Sequence, residues 1–197
     1  YNIFTNKYNL LYLLIYITPI LLIFFALLVE LSKITIKYSK IIIICQLFLF
    51  FSFALAPPRN ADSMRVWLAK IYDIIINGEK ILRPYAHYNT PDAFTLYHLP
   101  VIQIWDGQLF QLSIFACYCS ILILLIRITK FYTDKHLSII VCIYLFIFNP
   151  LITLGATVII SDMPLILSFA GITYSLIYFN KENKTSVLIL LYIFLSF

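Results

Sequence analysis

The sequence predicts an all-α protein: a polytopic transmembrane helix bundle with an extracytoplasmic loop that contains interfacial amphipathic helices. Two observations support this fold class. Charged residues make up 12% of the chain and apolar residues 62%, whereas soluble domains have about 25% and about 45–50%. The apolar residues are concentrated in long runs, and most of the lysines and arginines outside one long polar segment lie between those runs.

Six apolar runs are candidate membrane spans, because a helix needs about 20 mostly apolar residues to cross a bilayer. They cover residues 8–29, 41–57, 107–126, 137–158, 163–180 and 186–197, the last of them incomplete. The first run is too long for a signal peptide and no small-residue cleavage site follows it. Since the chain starts at Tyr1 and stops within an apolar run, we expect residues 1–197 to be one truncated transmembrane domain of a longer protein.

The basic residues of the short connecting segments predict the orientation of the spans. Cytoplasmic loops of membrane proteins carry an excess of Lys and Arg. Threading five spans in order puts three basic segments on one side, which is therefore predicted to be cytoplasmic. Their basic residues are Lys33, Lys37, Lys40, Arg127, Lys130, Lys135, His136, Lys181 and Lys184. The segment 58–106 and the turn at Asp162 then share the extracytoplasmic face. We expect an integral multi-pass protein of a bacterial inner membrane or an equivalent membrane.

Composition and motifs exclude several function classes. The net charge of +5 does not indicate a nucleic-acid partner, because the positive charges are scattered among short loops. The four cysteines show neither zinc spacing nor a disulfide framework. The sequence contains no glycine-rich phosphate loop, no Ser-His-Asp set and no HExxH motif. We therefore predict no cofactor, although a divalent metal is left open.

The extracytoplasmic segment 58–106 is the long polar stretch of the chain. It holds ten charged residues whose charges sum to zero. Apolar residues at helical spacing over 63–77 predict an amphipathic helix that lies in the membrane interface. Thr90-Pro91-Asp92 is a helix-start signal, so we predict a short helix over about residues 91–98 that Pro100 ends.

Two aspartates are candidate catalytic residues. Asp62 follows the second span; it is either a helix-start acid, stabilised by about 0.3–1 kcal/mol, or a general base that takes a proton from an acceptor hydroxyl. Asp162 is the only charge from Leu137 to Asn180. It either starts a helix or is functional, because an acid at the membrane centre costs about 2.5–3.5 kcal/mol and is therefore rare there.

Basic and aromatic residues of the loop are candidate ligand contacts. The candidate phosphate-binding residues are Arg59, Arg65, Lys80 and Arg83. Arginine presents a planar fork of donors to phosphate oxygens, whereas the alternative for all four is solvation or contact with lipid headgroups. Tyr85 and His87 lie in a segment without periodicity and are candidate substrate contacts.

Two motifs connect these residues. Arg59-Asn60-Ala61-Asp62-Ser63-Met64-Arg65 opens a long loop after a span and leads into the interfacial helix. Asn149-Pro150-Leu151 and Ser161-Asp162-Met163-Pro164-Leu165 lie at the predicted outer ends of two successive spans. Over roughly residues 40–197 the chain resembles the GT-C superfamily of integral-membrane glycosyltransferases, whose relatives include protein O-mannosyltransferases and lipid A aminoarabinose transferases.

The resemblance implies a function. A sugar on a polyprenyl or dolichyl phosphate would be transferred to an acceptor hydroxyl with inversion. Asp62 matches the loop acid that activates the hydroxyl, Asp162 matches the acid of the second motif, and basic loop residues would hold the leaving phosphate. The expected partners are this donor and membrane lipids, whereas the acceptor is not identified. The alternatives are a polytopic transporter or flippase and a non-catalytic membrane assembly subunit.

Overall fold

A computed structural model describes residues 7–56, 69, 93–157 and 162–182. Within these ranges the protein is helical apart from short connections, which confirms the all-α fold class. The described helices are α1 (Lys7–Ser32), α2 (Lys37–Leu55), α3 (Ala93–Tyr132), α4 (His136–Ile147), α5 (Pro150–Thr157) and α6 (Asp162–Glu182). The sixth predicted span at 186–197 lies outside the described residues. Of the predicted interfacial helix over 63–77 only Ala69 is described, and its backbone is helical.

Three of the described helices are long and apolar enough to cross a membrane. The stretches concerned are Leu14–Ser32 in α1, Gln108–Tyr132 in α3 and Met163–Asn180 in α6. Two further apolar stretches are shorter, namely Ser39–Leu55 in α2 and His136–Ile147 in α4. The 19 residues of α2 extend about 28 Å at 1.5 Å per residue, close to the thickness of a hydrocarbon core. Its last residue is followed by extended backbone at Ala56, the conformation that a succeeding proline requires.

The predicted span over 137–158 is not one continuous helix. It consists of α4 and α5, which are separated at Phe148 and Asn149. Pro150 has no N–H to extend the hydrogen-bond ladder of α4. It is instead the first residue of α5, a position where its missing donor costs nothing. Hydropathy alone did not reveal this break, because the run is apolar on both sides of it.

The prediction that Pro100 ends a short helix is wrong. α3 runs without interruption from Ala93 through Pro100 to Tyr132, and α1 likewise runs through Pro19. A proline inside a helix removes one backbone hydrogen bond. Pro19 lies within the candidate span Leu14–Ser32, and in such a span neighbouring helices and hydroxyl side chains can satisfy the freed carbonyl group. Pro100 lies before the candidate span Gln108–Tyr132, and α3 continues through it although one backbone hydrogen bond is lost.

α3 is the central helix of the described structure. It contacts α1, α2, α4, α5 and α6. In the candidate span of α3, 67% of the residues compared are buried, whereas the share is 22% in each of the spans of α1 and α6. The largest buried side chains of α3 are Phe110, Phe115 and Tyr118. The other helices therefore pack around α3 and leave their remaining surface exposed.

Aromatic rings join α1, α2 and α3. Phe24 of α1 stacks on Phe51 of α2 with ring centroids 5.8 Å apart. Phe115 of α3 lies 6.0 Å from Phe24 and 5.7 Å from Phe51, so the three rings are mutually in contact. Such pairs contribute about 0.5–1.5 kcal/mol each beyond the area they bury. This contribution matters for helices in lipid, where burial of apolar surface does not by itself favour association.

Tyr118 extends the aromatic contacts from α3 to α4. Its ring lies 5.0 Å from Phe146 of α4 in a stacked arrangement and 5.5 Å edge-on from Phe50 of α2. It is also 6.4 Å from Phe115. Tyr118 is fully buried, and its hydroxyl has no hydrogen-bond partner within the described structure.

α1, α3 and α6 run in the same direction. Glu30, near the end of α1, contacts Lys130, near the end of α3. The ring of Phe131 in the last turn of α3 lies 5.8 Å from Tyr174 and 5.9 Å from Tyr178 of α6. The start of α6 lies alongside the earlier part of α3, because Met163 is buried in the shared core.

α2 runs in the opposite direction. The side-chain amide of Gln111, in the earlier part of α3, donates a hydrogen bond of 3.0 Å to the carbonyl of Phe53 near the end of α2. From Gln111 to Lys130, α3 extends about 28 Å at 1.5 Å per residue. The end of α2 and the start of α6 therefore both lie toward the end of the bundle that is opposite Glu30.

The buried hydroxyl of Tyr118 generates a prediction about stability. A buried polar group without a hydrogen bond destabilises a fold by about 1–3 kcal/mol. We expect Tyr118→Phe to raise the free energy of unfolding by about 1 kcal/mol, because it removes the hydroxyl and keeps the ring. Tyr118→Ala should lower it by about 3–5 kcal/mol. Denaturant unfolding of the purified chain in detergent micelles measures both, and a loss of stability in Tyr118→Phe would contradict the expectation.

Candidate functional site

Most of the residues predicted to form the site lie outside the described part of the chain. They are Asp62, Arg59, Arg65, Lys80, Arg83, Tyr85 and His87. Asp162 is the first residue of α6, so its backbone position fits the helix-start interpretation. Its side chain is not among those described, and neither is the separation between the two aspartates. These assignments stay predictions.

The Asn149-Pro150-Leu151 part of the second motif lies at a helix break. Asn149 lies between α4 and α5, and its side-chain oxygen accepts hydrogen bonds from the backbone N–H of Leu151 at 3.0 Å and of Ile152 at 3.4 Å. It therefore caps the start of α5, where backbone donors have no partner within the helix. Pro150, between these residues, needs no partner because it has no N–H.

A threonine closes the other side of the break. The hydroxyl of Thr153 donates to the carbonyl of Ile147, the last residue of α4, at 2.8 Å. The backbone N–H of Thr153 donates to the carbonyl of Asn149 at 2.9 Å. Side chains thus satisfy backbone groups on both sides of the break. In an apolar environment such compensation is required, because each unsatisfied group costs several kcal/mol.

An ion cluster lies at the end of the described bundle where α1 and α3 end. We call Glu30, Lys33, Arg127 and Lys130 the Glu30 cluster. One carboxylate oxygen, Oε1, lies 3.2 Å from Lys33 Nζ and 3.6 Å from Arg127 Nη2. The other, Oε2, lies 2.9 Å from Lys130 Nζ. Glu30 lies in the last turn of α1 and Lys33 directly follows that helix, whereas the other two cations belong to α3. The cluster therefore ties the two helix ends together.

The carboxylate of the cluster is buried and its cations are not. The side chain of Glu30 is 11% exposed, whereas those of Lys33, Arg127 and Lys130 are 56%, 48% and 33% exposed. The cluster carries two positive charges in excess. Its carboxylate, held by three cations, acts as a structural anchor rather than as a proton acceptor.

A further cation lies close to the end of α1. Lys40 Nζ donates to the carbonyl of Ser32, the last residue of α1, at 2.8 Å. The last carbonyl groups of a helix have no partner within it and carry partial negative charge, which cations stabilise. Lys130 of the cluster lies in the last turn of α3, where a positive charge is also favourable for the helix dipole.

Sequence reasoning missed Glu30. The residue directly follows the first predicted span at 8–29 and was given no role. Glu30 is nevertheless the only acid before Asp62, and Lys33 follows at the i+3 spacing that allows contact on a helix. Those two facts could have singled it out. The contacts with α3 could not have been found in this way, because Lys130 is 100 residues further along the chain.

The described residues offer no metal site. No group of three or more His, Cys, Asp or Glu side chains in them could hold a metal ion. The prediction of no cofactor, with a divalent metal left open, concerns the segment 58–106 as well and stays a prediction.

The fold and the described contacts define the class of protein: an all-helical chain with three helices that could cross a membrane. Comparison with protein-family models, curated proteins and solved structures finds no match. The resemblance to the GT-C superfamily therefore rests on the two sequence motifs. Of these, the Asn-Pro-Leu part has a structural role as the helix cap described above.

The Glu30 cluster generates a prediction about stability. Glu30→Gln should lower the free energy of unfolding by about 1–2 kcal/mol, because it removes charged hydrogen bonds to cations that are partly screened by solvent. Asp134→Asn is the control, since Asp134 is exposed in the connection after α3 and should change stability by less than about 0.5 kcal/mol. Denaturant unfolding in micelles measures both. Equal effects of the two substitutions would show that the cluster does not hold α1 against α3.

The helix break generates a second prediction. Asn149→Ala should destabilise the protein by about 1 kcal/mol, because it leaves the donors at the start of α5 without their cap. Asn149→Ser should restore most of this loss, since serine also caps helices. Asn180→Ala, at an exposed position of α6, is the control and should not lower stability. Denaturant unfolding in detergent micelles measures these variants. An unchanged unfolding midpoint in Asn149→Ala would reject the capping role.

Proposed function

We propose that this chain belongs to a polytopic membrane glycosyltransferase. It transfers a sugar from a polyprenyl- or dolichyl-phosphate carrier to an acceptor hydroxyl on the extracytoplasmic face, with inversion at the anomeric carbon. Asp62 is the general base and Asp162 the second carboxylate of the site. Arg59, Arg65, Lys80 and Arg83 hold the phosphate, and Tyr85 and His87 contact the substrate.

The exposed apolar surface supports the membrane part of the proposal. Leu22 and Phe25 of α1 are 62% and 65% exposed, and Phe169 of α6 is 64% exposed. Exposed apolar residues also occur along α2 and α4. Soluble monomers rarely expose contiguous apolar patches larger than a few hundred Å², whereas lipid is a matching solvent for such a surface. The proposal takes α1, α2, α3, the α4–α5 pair and α6 as the five described spans.

The directions of the helices support the proposed orientation of the protein across the membrane. The Glu30 cluster gathers basic residues at one end of the bundle, and an excess of Lys and Arg is typical of the cytoplasmic side. α2 ends and α6 begins toward the opposite end. The segment after α2, which contains Asp62, and the start of α6 at Asp162 would then share the extracytoplasmic side. This common side is what a single site with both carboxylates requires.

The proposed mechanism is a single displacement. Asp62 accepts the proton of the acceptor hydroxyl as the hydroxyl oxygen forms a bond to the anomeric carbon. The bond between that carbon and the phosphate oxygen breaks, and the lipid phosphate leaves with the electron pair. The basic residues of the loop stabilise the charge that develops on the phosphate. The protonated Asp62 then releases its proton to water.

A transporter or flippase is the second candidate, and the break between α4 and α5 favours it. Discontinuous helices often form substrate sites in transporters. Against this, the donors at the start of α5 are occupied by Asn149, so they are not free to bind an anion. The transporter would move a lipid-linked sugar across liposomes without releasing the sugar, which separates the two candidates.

Donor turnover tests the proposal without knowledge of the acceptor. The full-length protein in liposomes is given radiolabelled mannosyl and glucosyl polyprenyl phosphates, and sugar released from the lipid to water or acceptor is counted. We expect Asp62→Asn to lower the rate by about 10²–10⁴-fold, the range that general-base catalysis contributes. Asp134→Asn, the exposed control, should retain the rate. Full turnover by Asp62→Asn would reject Asp62 as the base, and translocation without turnover by the unsubstituted protein would favour the transporter.

A further inference from the structure

We propose that the Glu30 cluster is a binding site for the phosphate of an anionic phospholipid. This inference rests on the membrane part of the proposed function but not on glycosyl transfer. It concerns the end of the bundle that is opposite the proposed catalytic side. The ligand chemistry is a phosphodiester with net negative charge, anchored by acyl chains.

The cations of the cluster have N–H donors that their contacts with Glu30 do not use. An ammonium group carries three N–H groups and a guanidinium five, whereas the contacts with Glu30 involve one nitrogen of each cation. Arg127 Nη2 is 3.6 Å from the carboxylate, too far for a hydrogen bond. The guanidinium of Arg127 is thus held near the cluster by charge, and among the described residues no hydrogen bond with Glu30 occupies the fork that could bind a phosphate.

Burial of Glu30 organises the cations before a ligand arrives. Long basic side chains lose rotamer entropy when a ligand fixes them, which weakens binding. Here the carboxylate already holds three of them within 3.6 Å or less of its oxygens. It neutralises only one positive charge, and Lys40 adds another cation at the end of α1. A negatively charged headgroup would reduce the remaining excess.

The surroundings of the cluster favour a lipid over a soluble phosphate. Val29, one residue before Glu30, is 40% exposed, and Tyr132, two residues after Lys130, is 73% exposed. Leu137 at the start of α4 is 66% exposed. Exposed apolar and aromatic residues therefore lie at the same helix ends as the exposed cations. This combination is typical of the level at which headgroups meet acyl chains.

Lipid binding by the intact chain tests the proposal. The purified protein in detergent micelles is titrated with dioleoylphosphatidylglycerol or with dioleoylphosphatidylcholine, and bound lipid is counted by native mass spectrometry. The two lipids share acyl chains and differ in headgroup charge. We expect the unsubstituted protein to bind phosphatidylglycerol at least about tenfold more tightly, because each basic residue near an anionic headgroup contributes about fivefold. Equal affinity for the two lipids overturns the proposal without any substitution.

Substitutions assign the effect to the cluster. Arg127→Gln should weaken phosphatidylglycerol binding about fivefold. Arg127 makes the longest of the three contacts with Glu30, so its substitution should disturb the fold least. Arg127→Lys, which keeps the charge but loses the planar fork, should weaken binding by less than Arg127→Gln does. Lys135→Gln is the matched control, since Lys135 is exposed at the same end without contact to Glu30 among the described ion pairs. A loss in Lys135→Gln as large as in Arg127→Gln would show that net charge, not the cluster, binds the lipid.

Inorganic phosphate tests the other source of the same chemistry. It should not displace phosphatidylglycerol at equal concentration, because it lacks acyl chains to pack on the apolar surface. Displacement would assign the cluster to free phosphate and overturn the lipid proposal. Lipid binding is measured without sugar transfer, so it can fail while donor turnover persists, and the reverse outcome is equally distinguishable.

Discussion

The contact between Glu30 and the cations of α3 determines how the outer helix α1 is set against the centre of the bundle. Most faces of these helices are apolar, so apolar packing alone does not specify which face or which height is paired. Polar contacts do so at two levels. Lys130 Nζ binds Glu30 Oε2 at 2.9 Å, and Gln111 binds the carbonyl of Phe53 at 3.0 Å. Together they fix α1 and α2 on α3, and the aromatic rings fill the space between them.

The helical class could be predicted because it depends on composition and on the length of apolar runs. The internal structure of the runs depended on prolines, and there the sequence was ambiguous. Pro150 begins a new helix because Asn149 and Thr153 supply the missing partners. Pro100 lies within a continuous helix. The same residue type therefore has opposite consequences in the two places, and a rule that considers only neighbouring residues cannot distinguish them.

The candidate site was predicted from two motifs, and the described structure accounts for part of one. Asn149 of that motif has a local role as a helix cap. Asp162 starts α6, as its helix-start interpretation predicts. The Glu30 cluster was not predicted, because it depends on pairing between α1 and α3 that no local pattern encodes. Sequence patterns thus identified residues with local roles better than residues whose partners are distant.

The separation of Glu30 from its partner on α3 has a consequence for biosynthesis. Glu30 and Lys130 are 100 residues apart, so a ribosome that adds about 5–20 residues per second needs about 5–20 s to make the second after the first. Until Arg127 and Lys130 are made, the only cation of the cluster already synthesised is Lys33, 3.2 Å from the carboxylate in the finished protein. Within the cluster, Lys33 is thus the one counter-ion that Glu30 can have before α3 is made.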